Sequence, residues 1–117
     1  MSVSEGFRAF VLEQLARATP SLRARNMFGG VGLYSGDFFF ALMDDDVLYF
    51  KVDDINRPRF EERAMGPFRP GGGGGEVMQY YEVPADVLED VELLAAWAAE
   101  AVEVARRARS RTRPRRQ

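Results

Sequence analysis

The sequence predicts an α+β domain in the order α-βββ-α-ββ-α, an antiparallel sheet with helices packed on one face. Apolar residues recur at helical spacing near both ends of the chain. Aromatic and β-branched residues dominate residues 26–52, and the turn-forming stretches SGD and DDD divide this region into three strands. A chain of 117 residues is long enough for one such domain with a modest core.

Three helices flank the predicted strands. The first is capped by Ser2 or Ser4 and ends at Thr19-Pro20, and a short second helix begins near Asn56. The last helix opens at Pro84. Its apolar positions at helical spacing are 87, 88, 91, 94, 95, 98, 101, 102 and 105. Two further short strands are expected at Phe68 and at residues 77–83.

Loops at Gly36-Asp37 and at residues 44–46 would set Ser35 opposite Phe38 and Met43 opposite Val47. Alternation then predicts a buried face that consists of Val31, Leu33, Phe38, Phe40, Leu42, Leu48, Phe50 and Val52. The other face consists of Gly32, Tyr34, Phe39, Ala41, Met43, Val47, Tyr49 and Lys51. This second face is unusually apolar for contact with water. We therefore take Tyr34, Phe39, Tyr49 and Lys51 as the candidate partner or dimer surface.

The stretch RNMFGGVGLYSGD spaces its glycines much like a phosphate-binding loop. The G-x-G-x-x-G fingerprint, counted from Gly30, needs a glycine where Ser35 stands, and a strand follows instead of a helix. We interpret Gly29-Gly30 as a β-bulge beside a closely passing element. The five glycines at 71–75 lack the Lys-Ser or Lys-Thr pair of a Walker loop and predict a flexible hairpin tip.

The chain contains no histidine and no cysteine, which removes the commonest acid–base group, the commonest metal ligand and any thiolate nucleophile. The aspartates at 44–46 and 53–54 lack the spacing of a calcium loop and suit turns and a helix start. We predict a protein that is not an enzyme and has no metal or cofactor. No signal peptide and no membrane-spanning run is recognisable, so we expect a cytoplasmic location without a membrane partner.

Charge is divided unevenly along the chain. Residues 106–117 hold seven of the sixteen basic residues and none of the eighteen acidic ones. We expect residues 1–105 to form the domain and residues 106–117 to form a disordered tail. The candidate nucleic-acid contacts are Arg106, Arg107, Arg109, Arg111, Arg113, Arg115 and Arg116, whose binding would be sequence-independent and weakened by salt. The alternatives are a solvated tail or one that folds back on the acidic domain.

Several ordered motifs carry a resemblance to a known family. RNMFGGVGLYSGDFFFALMDDDVLYFKVDD, followed by GPFRP and YYEVPADVLED, resembles the amino-terminal domain of the TfoX/Sxy family, regulators of natural competence in bacteria. The resemblance covers about residues 5–105. It implies an α+β domain that acts in transcriptional regulation through protein contacts, with a transcription factor such as the cyclic-AMP receptor protein, or RNA polymerase, as partner. It implies no catalytic residues.

Our leading hypothesis is therefore a non-enzymatic interaction module of the TfoX amino-terminal type. The second hypothesis is sequence-independent nucleic-acid binding through the arginine tail. An enzyme that depends on a small ligand or a metal ion is the third.

Overall fold

The computed structural model describes residues 3–27, 29–69 and 79–112. Within them, a five-stranded antiparallel sheet in the order β1-β2-β3-β4-β5 packs against helices on one face. The elements are α1 Glu5–Ala18, β1 Leu22–Met27, β2 Gly30–Ser35, β3 Phe38–Asp44, β4 Val47–Lys51, α2 Arg57–Glu61, β5 Tyr80–Glu82, α3 Ala85–Leu88 and α4 Val91–Thr112. The predicted α+β class with helices on one face is confirmed.

The strands differ from the predicted order at both ends of the sheet. Strand β1 precedes the three predicted strands and was missed because its four central residues are exposed and it lacks an aromatic run. At the other end, Phe68 lies beside β5 and its amide donates to the carbonyl of Tyr80 at 2.7 Å, while Pro67 forms an isolated bridge with Tyr81. The five-glycine run lies outside the described residues.

The predicted single last helix is two helices, α3 and α4. Between them, the Asp90 carboxylate accepts hydrogen bonds from the amides of Glu92 and Leu93 at 3.0 and 3.1 Å. These bonds satisfy amides that have no partner inside α4, so Asp90 acts as its N-cap. Helix α4 continues to Thr112, although we expected disorder from Arg106 onward. A domain boundary after residue 105 stays a prediction.

The predicted register of β2 and β3 holds at the SGD turn, where Ser35 pairs with Phe38. A bulge then interrupts the pairing, because Tyr34 is opposite Phe39 whereas Leu33 is opposite Ala41. Phe40 is thus the extra residue of β3. Both Phe40 and the Ala41 that follows it are completely buried in the core.

Alternation along β3 is reversed beyond this bulge. Met43 is completely buried and Leu42 only half-buried, so the predicted placement of Leu42 in the core and of Ala41 and Met43 on the opposite face was wrong. The predicted Met43–Val47 pairing was also wrong. Asp45 and Asp46 have φ of 53° and 58° and form a two-residue turn, which pairs Asp44 with Val47 and Met43 with Leu48.

The glycines after β1 are required by the backbone geometry, but not in the way that the sequence predicted. Gly29 has φ of 82° and lies in the turn that leads to β2, so the bulge predicted at Gly29-Gly30 was wrong. The expected close approach is confirmed at Gly30, where an added Cβ would lie 2.5 Å from the carbonyl oxygen of Met43. This separation excludes any side chain unless β3 moves away.

The core lies between the sheet and the helices. Its largest fully buried side chains are Phe40, Phe50, Phe60, Leu15, Leu33, Met43 and Leu94. Trp97 of α4 packs edge-on against Phe60 of α2 with ring centroids 4.9 Å apart. The buried Gln14 amide donates to the carbonyl of Leu88 at 2.9 Å and so ties α1 to α3. No helix in the described ranges is both long and apolar enough to span a membrane.

Candidate interaction face

The sheet turns one face away from the helices, and we call this surface the open face. Core side chains such as Leu33 and Phe50 occupy the helix side, so the residues that alternate with them point the other way. The strand pairings place on the open face Arg23, Arg25, Met27, Gly32, Tyr34, Phe39, Leu42, Tyr49, Lys51, Tyr80 and Glu82. The surface therefore combines aromatic rings with charged residues.

Five of these side chains, one from each strand, form a continuous row that we call the aromatic row. The Arg23 guanidinium lies 5.3 Å from the ring centroid of Tyr34, and that ring lies 5.1 Å from the ring of Phe39. Phe39 is 5.8 Å from the Tyr80 ring, over which the Lys51 ammonium lies at 5.0 Å. Three rings are thus in contact, and a cation lies over the first, Tyr34, and over the last, Tyr80.

The Tyr34 ring has a neighbour of the aromatic row on each side. Strand β2 lies between β1 and β3, so Arg23 and Phe39 flank the Tyr34 ring from opposite sides. The planes of Tyr34 and Phe39 are inclined by only 26°. Because both faces of the Tyr34 ring are covered within the row, this ring offers its edge and its hydroxyl to an approaching partner.

Tyr80 anchors the row in the sheet. It is 5% exposed, and burial, with a smaller contribution from nearby Tyr34, raises the pKa of Tyr80 to about 12. The phenol is therefore uncharged at neutral pH. Its ring connects Lys51 to Phe39.

Tyr49 occupies the next row along the strands, where Leu42 and Glu82 are its partners across β3 and β5. Its ring lies 4.9 Å from that of Phe68. Burial raises the pKa of the Tyr49 phenol, and the nearby carboxylates of Glu82, Asp44 and Asp45 raise it further. Tyr49 thus marks a more acidic part of the open face.

The structure places the four predicted surface residues as follows. Tyr34 and Phe39 are in contact, Lys51 joins them through Tyr80, and Tyr49 lies in the neighbouring row. All four are half-buried. Their role in binding stays a prediction. Sequence reasoning missed Arg23, because β1 was not recognised as a strand, and Tyr80, because no register was assigned to β5.

A second charged region lies at the carboxyl-terminal part of α4. Arg107 donates from Nε and Nη2 to Asp53 Oδ2 at 3.0 and 2.9 Å. Asp53 Oδ1 also accepts from the Ile55 amide at 2.9 Å. Burial raises the pKa of Asp53, but these hydrogen bonds outweigh it and hold the pKa below the ordinary value. This pair fastens α4 to the segment that joins β4 and α2.

Two other tail arginines also lie against the domain. The guanidinium groups of Arg106 and Arg109 lie over the Phe38 ring at 4.7 and 4.4 Å, and Arg109 donates to the Asp37 carbonyl at 2.9 Å. Arg111 belongs to α4. The remaining predicted contacts, Arg113, Arg115 and Arg116, lie outside the described residues. The expected nucleic-acid contact stays a prediction.

The described ranges contain no group of three or more acidic, histidine or cysteine side chains arranged to hold a metal ion. In the comparisons with known proteins, the model of the TfoX N-terminal domain matches residues 13–105. No curated protein matches the chain. The family match covers all five strands and most of the helices. The chain therefore belongs to the TfoX N-terminal domain family, whose members are regulatory, non-catalytic modules related to competence.

Proposed function

We propose that this chain is a non-enzymatic interaction module that takes part in competence-type transcriptional regulation through protein contacts made by its open face. The observation that carries this proposal is the aromatic row, which spans all five strands and includes two cations, Arg23 and Lys51. Tyrosine and arginine are enriched at the energetic centres of protein interfaces. Rings already fixed by their neighbours also lose little side-chain freedom on binding.

The surroundings of the Tyr34 ring favour a protein partner over stacked bases. Sheet surfaces that bind single-stranded nucleic acid expose the faces of aromatic rings to the bases. Here Arg23 and Phe39 flank both faces of Tyr34. A protein surface, which packs against ring edges and bonds to hydroxyl groups, suits this arrangement better.

The chemistry of the open face supports a role without catalysis. A tyrosine that acts as a base needs a pKa lowered towards neutrality. Burial instead raises the pKa of Tyr80 to about 12 and that of Tyr49 above its ordinary value. Both phenols therefore stay protonated at neutral pH, and their rings pack against Phe68 and Phe39.

The resemblance to competence regulators suggests two partners to test, the cyclic-AMP receptor protein and RNA polymerase. The fluorescently labelled full chain is titrated with each protein from the same host, with and without cyclic AMP. We expect saturable binding of one of them, weakened at least tenfold by combined Tyr34→Ala and Tyr49→Ala. The matched control is Phe10→Ala, which truncates a 41% exposed ring on α1 and should leave binding unchanged.

Thermal unfolding of each variant establishes that it is folded before binding is compared. Failure of both proteins to bind, or an equal loss from Phe10→Ala, would overturn the proposal. Sedimentation tests the predicted alternative, in which the open face forms a homodimer. In that case the wild-type chain dimerises in the absence of partner, and the Tyr34 and Tyr49 substitutions return it to a monomer.

A further inference from the structure

The two edges of the sheet differ in how they are occupied. Next to β5, the Phe68 amide donates to the carbonyl of Tyr80 at 2.7 Å, and the Glu82 amide donates to that of Gly66 at 2.9 Å. Strand β1 has a single neighbour, β2, among the strands that the structure describes. Its residues 23–26 are all exposed. Strand β1 is therefore the more accessible of the two described edges.

An edge strand of this kind can pair with another chain. In an antiparallel ladder, alternate residues direct their amide and carbonyl groups away from the neighbouring strand. An extended segment that adds to such an edge gains main-chain hydrogen bonds, and its alternate side chains determine specificity. Strand β1 has six residues, enough for a short segment of similar length.

The charges of β1 indicate which segment fits. Arg23 and Arg25 point to the open face two residues apart, and β1 contains no acidic residue. The ion pair of Arg23 with Asp37 is loose, at 4.0 Å between groups that are 58% and 81% exposed. Such surface pairs contribute little, so a partner carboxylate can replace Asp37.

A second copy of this chain suits the edge less well. If two copies paired antiparallel through β1 with their open faces on the same side, arginine would lie opposite arginine. Like charges on edge strands are a common means of preventing association between identical chains. Glutamates or aspartates at alternate positions of a partner strand would instead form charge-assisted, bidentate bonds with both arginines.

We propose that β1 accepts an extended acidic segment of a partner protein as a sixth strand, with Arg23 and Arg25 selecting its alternate carboxylates. This inference rests on the proposed function, since it names the kind of partner segment that joins the aromatic row. A carboxylate bound to Arg23 extends that row beyond Tyr34. The partner would thus contact the backbone of β1 and the open face together.

The probe is a synthetic eight-residue peptide that alternates glutamate and valine. A control peptide has two of its valines replaced by proline, which removes amide donors and leaves the charge unchanged. Affinity for the full chain is measured by fluorescence anisotropy, and amide hydrogen exchange is followed residue by residue. We expect the alternating peptide to bind, to slow exchange in β1, and to bind at least tenfold more tightly than the proline peptide.

Combined Arg23→Gln and Arg25→Gln should weaken binding of the alternating peptide at least tenfold and reduce its dependence on salt. Arg17→Gln, which removes one exposed positive charge from α1, is the control and should change little. Unaltered thermal unfolding of the arginine variant excludes misfolding. The proline peptide on wild-type protein tests strand addition without any substitution.

Three results would overturn the inference: no binding, equal binding of the two peptides, or protection confined to regions other than β1. Protection of β1 that increases with protein concentration in the absence of peptide would also overturn it, because a second copy then occupies the edge. The proposed function fails separately. If the receptor protein or the polymerase binds and Tyr34→Ala weakens that binding, but the peptide does not bind to β1, only the inference about the edge is wrong.

Discussion

Tyr34 and Phe39 stack across β2 and β3 with ring centroids 5.1 Å apart and ring planes inclined by 26°. They are opposite each other because the β3 bulge begins only after Phe39, so the SGD turn still fixes their register. This contact is the centre of the aromatic row. Its strength therefore determines how rigidly the proposed binding surface is held.

The first prediction concerns the energy of this contact. In a double-mutant cycle of Tyr34→Ala and Phe39→Ala, urea unfolding should give a coupling of about 0.5 to 1.5 kcal/mol, as found for aromatic pairs. The control cycle combines Tyr34→Ala with Phe10→Ala on α1, whose effects should add within about 0.5 kcal/mol. Additive behaviour of Tyr34 and Phe39 would contradict a cooperative row.

The second prediction separates two glycines by their surroundings. An added Cβ at Gly30 would lie 2.5 Å from the backbone oxygen of Met43, so Gly30→Ala should destabilise the fold by about 1 to 3 kcal/mol in urea unfolding. Gly6, on α1, has nothing within 4 Å of such an atom. Gly6→Ala should be neutral or stabilising by up to about 1 kcal/mol. If Gly6→Ala were more destabilising than Gly30→Ala, β3 would move away from β2 at little cost in free energy.

The sequence predicted the fold class because helical and strand periodicities are separated along the chain. It also predicted Tyr34 opposite Phe39, since the SGD turn fixes this pairing locally. It could not predict that Phe40 is an extra residue, because a bulge preserves apolar composition while it exchanges the faces of Leu42 and Met43. A run of three phenylalanines carries no polar residue to mark the change.

Two members of the aromatic row, Arg23 and Tyr80, could not be predicted for a different reason. Arg23 lies on an exposed edge strand, where burial imposes no alternation of polar and apolar residues. Tyr80 lies in the aromatic row because it pairs with Lys51, which is 29 positions earlier in the chain. Local patterns carry no information on that pairing. Alternation along the strands indicated which residues share this surface of the sheet. The contacts among those residues depend on strand pairings between distant parts of the chain.

The third prediction concerns acid stability and the pair of Arg107 with Asp53. The pKa of Asp53 is below its ordinary value of about 4, so near this pH the unfolded chain binds a proton that the folded chain does not. Its stabilisation is therefore present above about pH 4 and is lost as the pH falls through the folded pKa. Arg107→Gln should cost about 1 to 2 kcal/mol at neutral pH and flatten this acid dependence.

Urea unfolding of the wild type and of Arg107→Gln between pH 3 and pH 7 measures this difference. Arg106→Gln is the control, because Arg106 and its partner Glu103 are 53% and 52% exposed. Exposed pairs of this kind contribute little, so the change should be within about 0.5 kcal/mol. An identical acid profile for the wild type and Arg107→Gln would show that the pair does not fasten α4.

The fourth prediction concerns alkaline stability and Tyr80. Its pKa of about 12 lies above the ordinary value of about 10, so between these pH values the folded chain keeps a proton that the unfolded chain loses. Stability should therefore fall by roughly 2 kcal/mol as the pH rises across this window. In urea unfolding, Tyr80→Phe should reduce this fall in stability, whereas Tyr81→Phe should not. Equal slopes for the two variants would contradict a buried, neutral Tyr80.

The final prediction tests the alternative function, nucleic-acid contact through the tail. Arg106, Arg107 and Arg109 already contact the domain through acidic groups, a carbonyl or the Phe38 ring. Arginines further along the tail should therefore supply the phosphate contacts. Combined substitution of Arg113, Arg115 and Arg116 by glutamine should lower the affinity for duplex DNA at low salt. The slope of log affinity against log salt should fall by roughly 2 to 3.

Glutamine at positions 106, 107 and 109 is the matched control, since it removes the same charge. It should lower stability through Arg107 but leave the salt slope nearly unchanged. Equal slope changes for the two triple variants would show that the arginines on α4 exchange their contacts within the domain for phosphates. If the wild-type chain does not bind duplex DNA at about 50 mM salt, where phosphate contacts are strong, the tail has no such function.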